Sequence, residues 1–121
     1  MARTEWGGVV RNISFSLTTR QFLDGAKTVT RRLGWKNLKP GDRLMAVKKG
    51  MGLKPGEKIE RLGEIEVVHV SRLLLGEIMA EDCAAEGFPE LPPAQFVAMF
   101  CRHMGCTPTT EITRIEFRRV P

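Results

Sequence analysis

The alternation of apolar and polar positions divides the chain into short elements. Over residues 12–17, Ile13, Phe15 and Leu17 share one side and Ser14 and Ser16 the other, the two-residue period of a half-buried strand. Thr18 or Thr19 can then cap a short helix that carries Phe22 and Leu23 and stops at Gly25. Residues 28–32 read as a second strand. Two near-repeated turns follow, Leu38-Lys39-Pro40-Gly41-Asp42 and Leu53-Lys54-Pro55-Gly56-Glu57, each with Pro-Gly where a type II turn places it. Each turn precedes a β-rich run, residues 43–49 and 58–75. Gly63 interrupts the second run, which predicts two strands or one strongly bent strand of a small barrel.

The period then changes. Residues 77–86 have helical spacing, with Ile78, Met79, Cys83 and Ala84 apolar, and stop at Gly87. Pro92 and Pro93 suit the first turn of another helix, which runs through Phe96, Val97, Met99 and Phe100 to near Gly105. That apolar stripe reads as core. Residues 110–120 close the chain as a strand, with Ile112, Arg114, Glu116 and Arg118 opposite Thr113, Ile115, Phe117 and Arg119. The order predicts an α+β fold, a compact mixed β-barrel with a short N-terminal helix and two later helices packed at its side. Residues 1–11 read as an N-terminal extension in which Trp6 is expected to pack, and residues 12–121 as a single domain.

Composition narrows the classes. The chain has 121 residues, 42% of them hydrophobic, enough for one domain with a real core. No apolar run approaches the roughly 18 residues of a membrane helix, and no charged-then-apolar signal opens the chain. The expectation is a cytoplasmic protein, monomeric by default, with no membrane partner. The formal charge of +5 is unevenly spread. Residues 27–61 hold eleven Lys or Arg against three acids, a local +8, and residues 63–121 hold five basic against nine acidic side chains, a local −4. A concentrated positive field favours a polyanion such as nucleic acid, or serves only as a solvated face.

Cys83, Cys101 and Cys106 are an odd count, which argues against a disulfide framework. Cys101 and His103 diverge on a helix and a fourth ligand is missing, so a zinc site is not expected. Gly50-Met51-Gly52 with Gly56 lacks phosphate-loop spacing and reads as a hairpin tip. No metal or cofactor is expected.

The densest chemistry lies at residues 25–32, Gly-Ala-Lys-Thr-Val-Thr-Arg-Arg. Two hydroxyls, a tunable amine and two permanent cations suit a site that holds something polar or anionic and attacks it. In a straight strand Lys27 and Thr30 would face opposite ways. They converge only if Lys27 remains in the loop after Gly25 or a bulge intervenes. As bland alternatives, Lys27 is a solvated turn lysine and Thr30 an ordinary strand residue.

A strand, a short helix ending in Gly-x-Lys-Thr-x-Thr-x-Arg at residues 25–32, a Lys-Pro-Gly-Asp turn at 39–42, a helix ending in Glu86-Gly87-Phe88, and a closing Ile115-Glu116-Phe117 together resemble the ASCH domain, a PUA-like β-barrel. The resemblance spans roughly residues 13–120. It implies an RNA-related role. Some small bacterial members are amidohydrolases that remove the acetyl group from N(4)-acetylcytidine, and others are reported as ribonucleases. By motif, the resemblance assigns the proton acceptor to Lys27, the nucleophile to Thr30 and the proton donor to Glu86, with Glu81 or Asp82 as alternatives for the last. Thr28, Arg31, Arg32, Trp35, Lys48 and Phe88 are candidates for holding a nucleoside or RNA. Trp35 and Phe88 would stack on a base, and Arg32 would hold a phosphate or the acyl oxygen. Three readings stand: an amidohydrolase acting on an acylated cytidine or modified base, a non-catalytic RNA-binding module, and a ribonuclease using the same basic cleft.

Overall fold

A computed structural model describes residues 10–50 and 52–121. Trp6 and nearly all of the expected N-terminal extension lie outside the described residues, as does Met51 of the hairpin tip. In chain order the elements are β1 (Arg11–Ser14), α1 (Thr19–Leu23), β2 (Val29–Arg32), β3 (Arg43–Val47), β4 (Arg61–Leu74), a 3-10 turn (Leu75–Glu77), α2 (Ala80–Ala85), α3 (Pro93–Met104) and β5 (Glu111–Arg119). The five strands form one sheet in the order β1-β3-β4-β5-β2. β1 runs parallel to β3, and every other pair is antiparallel.

β4 is a single 14-residue strand, so the run that Gly63 interrupts is bent rather than split. Its pairing with β3 skips Leu62, beside Gly63, and its pairing with β5 skips Val68. An extra residue on one strand bends it and increases its twist. Two bulges on the central strand curl the sheet into a half-barrel, with β1 and β2 at its free edges.

Ile13, Phe15, Leu44, Ile65, Val67, Ile115 and Phe117 fill the inside of the curl together with Phe22 of α1. The Phe15 and Phe22 rings stack with centroids 5.0 Å apart, and Phe117 tilts against both. Each such fully buried side chain contributes about 1.5–3 kcal/mol. A second core joins Leu75, Ile78 and Cys83 to Phe96, Val97 and Phe100 of α3 and Ile112 of β5.

Local details depart from the sequence reading. Neither threonine caps α1 with its side chain: Thr18 occupies the cap position without a side-chain bond, and the Thr19 hydroxyl donates to the Phe15 carbonyl at 2.8 Å. The helix expected over 77–86 begins only at Ala80. Before it, Gly76 N–H donates to the Pro108 carbonyl and Leu75 N–H to that of Thr110. These bonds hold the chain in a 3-10 turn, and Ile78 is extended and buries its side chain while Met79 faces solvent. Pro93 opens α3 and Gly105, at φ +65°, ends it, as the sequence predicts.

Candidate active site

The fold brings the 25–32 stretch against the C-terminal end of α2. After α1, Gly25 turns the chain at φ +79°, and the Gln21 carbonyl accepts the N–H groups of both Ala26 and Lys27. Lys27 therefore sits in the loop, not in β2. Thr30 and Arg32 share a strand face, and Arg32 Nε donates to Thr30 Oγ1 at 3.0 Å. Arg32 Nη2 also donates to the Ser14 carbonyl of β1 at 2.6 Å, so one guanidinium spans the open seam of the half-barrel.

Asp82 and Glu86 stand four residues apart, one helical turn, and face the same way. Glu86 Oε1 accepts Lys27 Nζ at 3.0 Å, and the Glu86 carbonyl accepts it again at 2.7 Å. Glu86 Oε2 accepts Arg31 Nη1 at 3.3 Å, and Arg31 Nη2 reaches Asp82 Oδ2 at 2.8 Å. Arg114 of β5 grips the same Asp82 through two bonds, at 2.6 and 3.0 Å. Lys27, Arg31 and Glu86 are all nearly inaccessible, with side chains 3–5% exposed.

Burial lowers the Lys27 amine below its ordinary 10.5; Glu86 opposes that shift, and Arg32 and Arg31 reinforce it. Burial likewise brings Arg32 down to about 10, so it remains a cation at neutral pH. The hydrogen bond from Arg114 is the main cause holding the Asp82 carboxyl down at about 2.

Lys27, Thr30, Arg31, Arg32 and Glu86 line one pocket of about 220 Å³. It lies where the two cores meet, with Phe15 on one side and Phe88, Phe96 and Phe100 on the other. Of the remaining residues proposed from sequence, Phe88 lines this pocket, and Thr28, Trp35 and Lys48 do not. Thr28 is exposed, and its backbone is used in bonds to Ala85 and Phe117. Trp35 packs on the first core with the Arg11 guanidinium 4.3 Å over its ring. Lys48 belongs to the separate 48–60 hairpin surface. Glu81 is exposed, and Asp82 is engaged with two arginines, which leaves Glu86 as the carboxylate paired with Lys27. Met99, His103 and Met104 of α3 also line the pocket. Sequence reasoning assigned that helix to the core; the signal it passed over is a polar His103 continuing the stripe begun by Phe96 and Phe100.

Gly87 fixes how the two halves of the site meet. It sits at φ +101°, and a Cβ there would stand 2.8 Å from Gln21 Cβ and 2.9 Å from Gln21 Cγ. The end of α2 that presents Glu86 thus packs on the helix whose carbonyl orients Lys27. Gly87→Ala is expected to destabilise the protein by about 1–3 kcal/mol, read as a lower urea midpoint. An unchanged midpoint would mean that α1 and α2 part without cost.

Among the described residues, no three His, Cys, Asp or Glu side chains cluster to hold a metal ion. No helix there is long and apolar enough to cross a membrane.

No family model matches the chain, and no curated protein matches it in sequence. Solved structures do match in shape. A DUF984 protein from Enterococcus faecalis V583 aligns over 93% of this chain and 81% of its own, with a TM-score of 0.66 and 12% identity. The hypothetical protein PH0355 aligns over 93% of this chain and 100% of its own, with a TM-score of 0.63 and 16% identity. An ASCH domain from Lactobacillus crispatus JV V101 aligns over 90% and 79%, with a TM-score of 0.57 and 15% identity. The fold is the small α+β fold that these structures share, the ASCH domain among them.

Proposed function

We propose that this chain is a small amidohydrolase that removes the acyl group from an acylated cytosine, in a free nucleoside or an unstacked base of RNA. Lys27 is the base, Thr30 the nucleophile and Glu86 the acid. One observation carries the reading: these three residues, from a loop, a strand and a helix end, line one pocket, with Lys27 Nζ 3.0 Å from Glu86 Oε1.

The pair supplies both proton roles without a change in net charge. Transfer of one proton from the Lys27 ammonium to the Glu86 carboxylate yields an amine and a carboxylic acid. The amine takes the Thr30 hydroxyl proton as Oγ1 attacks the acyl carbon. The acid protonates the departing cytosine amino group, leaving an ester on Thr30 and the ion pair restored. Glu86 carboxylate then takes a proton from the attacking water, and Lys27 returns one to Thr30 as the ester breaks. Arg32, bonded to Thr30 Oγ1, places positive charge beside the developing oxyanion.

Pocket size and charge placement support a small substrate. The 220 Å³ volume lies below the roughly 300–1,000 Å³ of drug-sized sites and suits one base or nucleoside. The basic segment is less of an RNA track than its sum implies. Of its eleven cations, Lys27, Arg31 and Arg32 line the pocket and Arg43 pairs with Glu64 and Glu66. Seven exposed cations remain against three acids, a local +4 in place of +8. Those seven are what favours the second reading, an RNA-binding or ribonuclease role.

The test is release of cytidine from N(4)-acetylcytidine. Turnover is expected to hold while the pair keeps its one proton and to fall as pH rises past the Lys27 value, held below 10.5, because the acid for the leaving group is then lost. No turnover at any pH overturns the amidohydrolase reading. RNA binding that falls steeply with salt, as counterion release requires, would then favour the second.

A further inference from the structure

The motif Gly-x-Lys-Thr-x-Thr-x-Arg leaves position 31 unassigned, yet this chain fills it with an arginine buried to 3% side-chain exposure. Its guanidinium lies between the two carboxylates of α2, at 3.3 Å from Glu86 Oε2 and 2.8 Å from Asp82 Oδ2. Arg31 and Arg114 are directly opposed in the β2–β5 ladder. Two like charges facing each other on adjacent strands destabilise a sheet. Asp82 resolves the conflict by bonding both, and Arg114 holds it with two bonds. Arg31 Nε remains buried with no protein acceptor among the described residues. A buried cation with an unmet N–H gives fold stability little, because an apolar side chain of that size would fill the space at lower cost. What the arginine does achieve is contact with Glu86 from the side opposite Lys27.

We infer that Arg31, anchored by Asp82 and Arg114, is a positioning residue that sets how firmly the Lys27–Glu86 pair holds its proton. This rests on the reading of Lys27 and Glu86 as base and acid. Glu86 serves two cations, and the charge that Arg31 brings it is shared with Asp82. More of that charge on Glu86 keeps it a carboxylate but offsets its attraction for Lys27, so the pair loses its proton to solvent at lower pH; less of it lets the pair keep the proton. The chain Arg114–Asp82–Arg31–Glu86–Lys27 therefore runs from the sheet to the base. The charged or titratable groups lining the pocket or bonded to the pair's partners are Arg31 and Arg32 of β2, Asp82 of α2, His103 of α3 and, behind Asp82, Arg114 of β5.

The relay makes predictions of opposite sign. Arg31→Met removes a cation from beside Lys27 and leaves Glu86 to it alone, so the Lys27 titration moves up by about half a pH unit or more. Asp82→Asn releases all of Arg31's charge toward Glu86 and removes a nearby anion, so Lys27 moves down by a similar amount. Arg31→Lys keeps the charge without the fork and recovers at least half of the Arg31→Met shift. Where Asp82→Asn does not fold, Arg114→Met serves in its place: Asp82 then draws Arg31 from Glu86, and Lys27 moves up. The readout is a titration of carbon-13-labelled lysine side chains by NMR, with the Lys27 resonance identified by its loss in Lys27→Met.

Because that titration needs no substrate, the two ideas fail separately. An unmoved Lys27 in Arg31→Met, or a shift of the same sign in Arg31→Met and Asp82→Asn, overturns the relay whatever the activity. Inactivity of the wild type on acetylcytidine, with the opposed shifts present, overturns the hydrolase reading and leaves the relay standing. With an active wild type, the alkaline limb of the pH–rate profile is expected to follow Lys27 in each variant.

Discussion

Thr30→Ala is expected to lower kcat/KM toward N(4)-acetylcytidine by about a thousandfold or more, because the covalent step loses its only attacking oxygen. The effect on folding is expected to be far smaller. Thr30 is 3% exposed, and alanine removes a methyl group together with the hydroxyl that accepts Arg32 Nε. That combination costs about 1–3 kcal/mol, a loss a domain of ordinary stability survives. Arg32 keeps its bond to the Ser14 carbonyl, so the seam stays bridged. Thr30→Ser retains the oxygen in the same place and should retain a measurable part of the rate. Initial rates alongside urea unfolding separate the two effects. An active wild type with a fully active Thr30→Ala would show that water attacks directly and would remove Thr30 from the chemistry.

The core of this site was legible because its parts follow local rules. Gly25 after α1 keeps Lys27 in a loop, two-residue spacing puts Thr30 and Arg32 on one strand face, and four-residue spacing puts Asp82 and Glu86 on one side of α2. The strand and helix order likewise follows from periodicity and from the Pro and Gly positions. What stayed hidden depends on long-range register. Nothing local places Arg114 opposite Arg31, 83 residues away, or gives Asp82 to both, when it lies 32 residues from the one and 51 from the other. Trp35 shows the same limit. A tryptophan near a basic segment has the means to stack on a base, but its positive φ of 55° and the Arg11 guanidinium over its ring commit it to the fold. The local +8 has a related limit. Charge counted along a sequence does not distinguish cations pointing into a pocket from cations facing solvent.

Glu86→Ala is expected to have the largest effect on stability, about 3–5 kcal/mol at neutral pH, because it leaves the buried Lys27 ammonium without a carboxylate and Arg31 with Asp82 alone. Lys27→Met should cost less, since Glu86 keeps Arg31 at 3.3 Å. Once Lys27 is methionine, removing Glu86 affects only Arg31, which still has Asp82, and the double-mutant cycle should give a coupling of about 1–3 kcal/mol. The pH dependence identifies the cause. Lys27 already has its amine pulled below 10.5 by burial, against the opposing influence of Glu86. Without Glu86 that opposition is gone and the folded-state value falls further. A depressed lysine binds its proton more weakly folded than unfolded, so its penalty is complete below the folded value and fades as pH rises toward 10.5. The Glu86→Ala deficit should therefore shrink between neutral and alkaline pH, followed as the urea midpoint relative to wild type. A deficit below about 1 kcal/mol, or one that does not change with pH, would mean that Glu86 is not what lets the fold hold Lys27 as a buried cation.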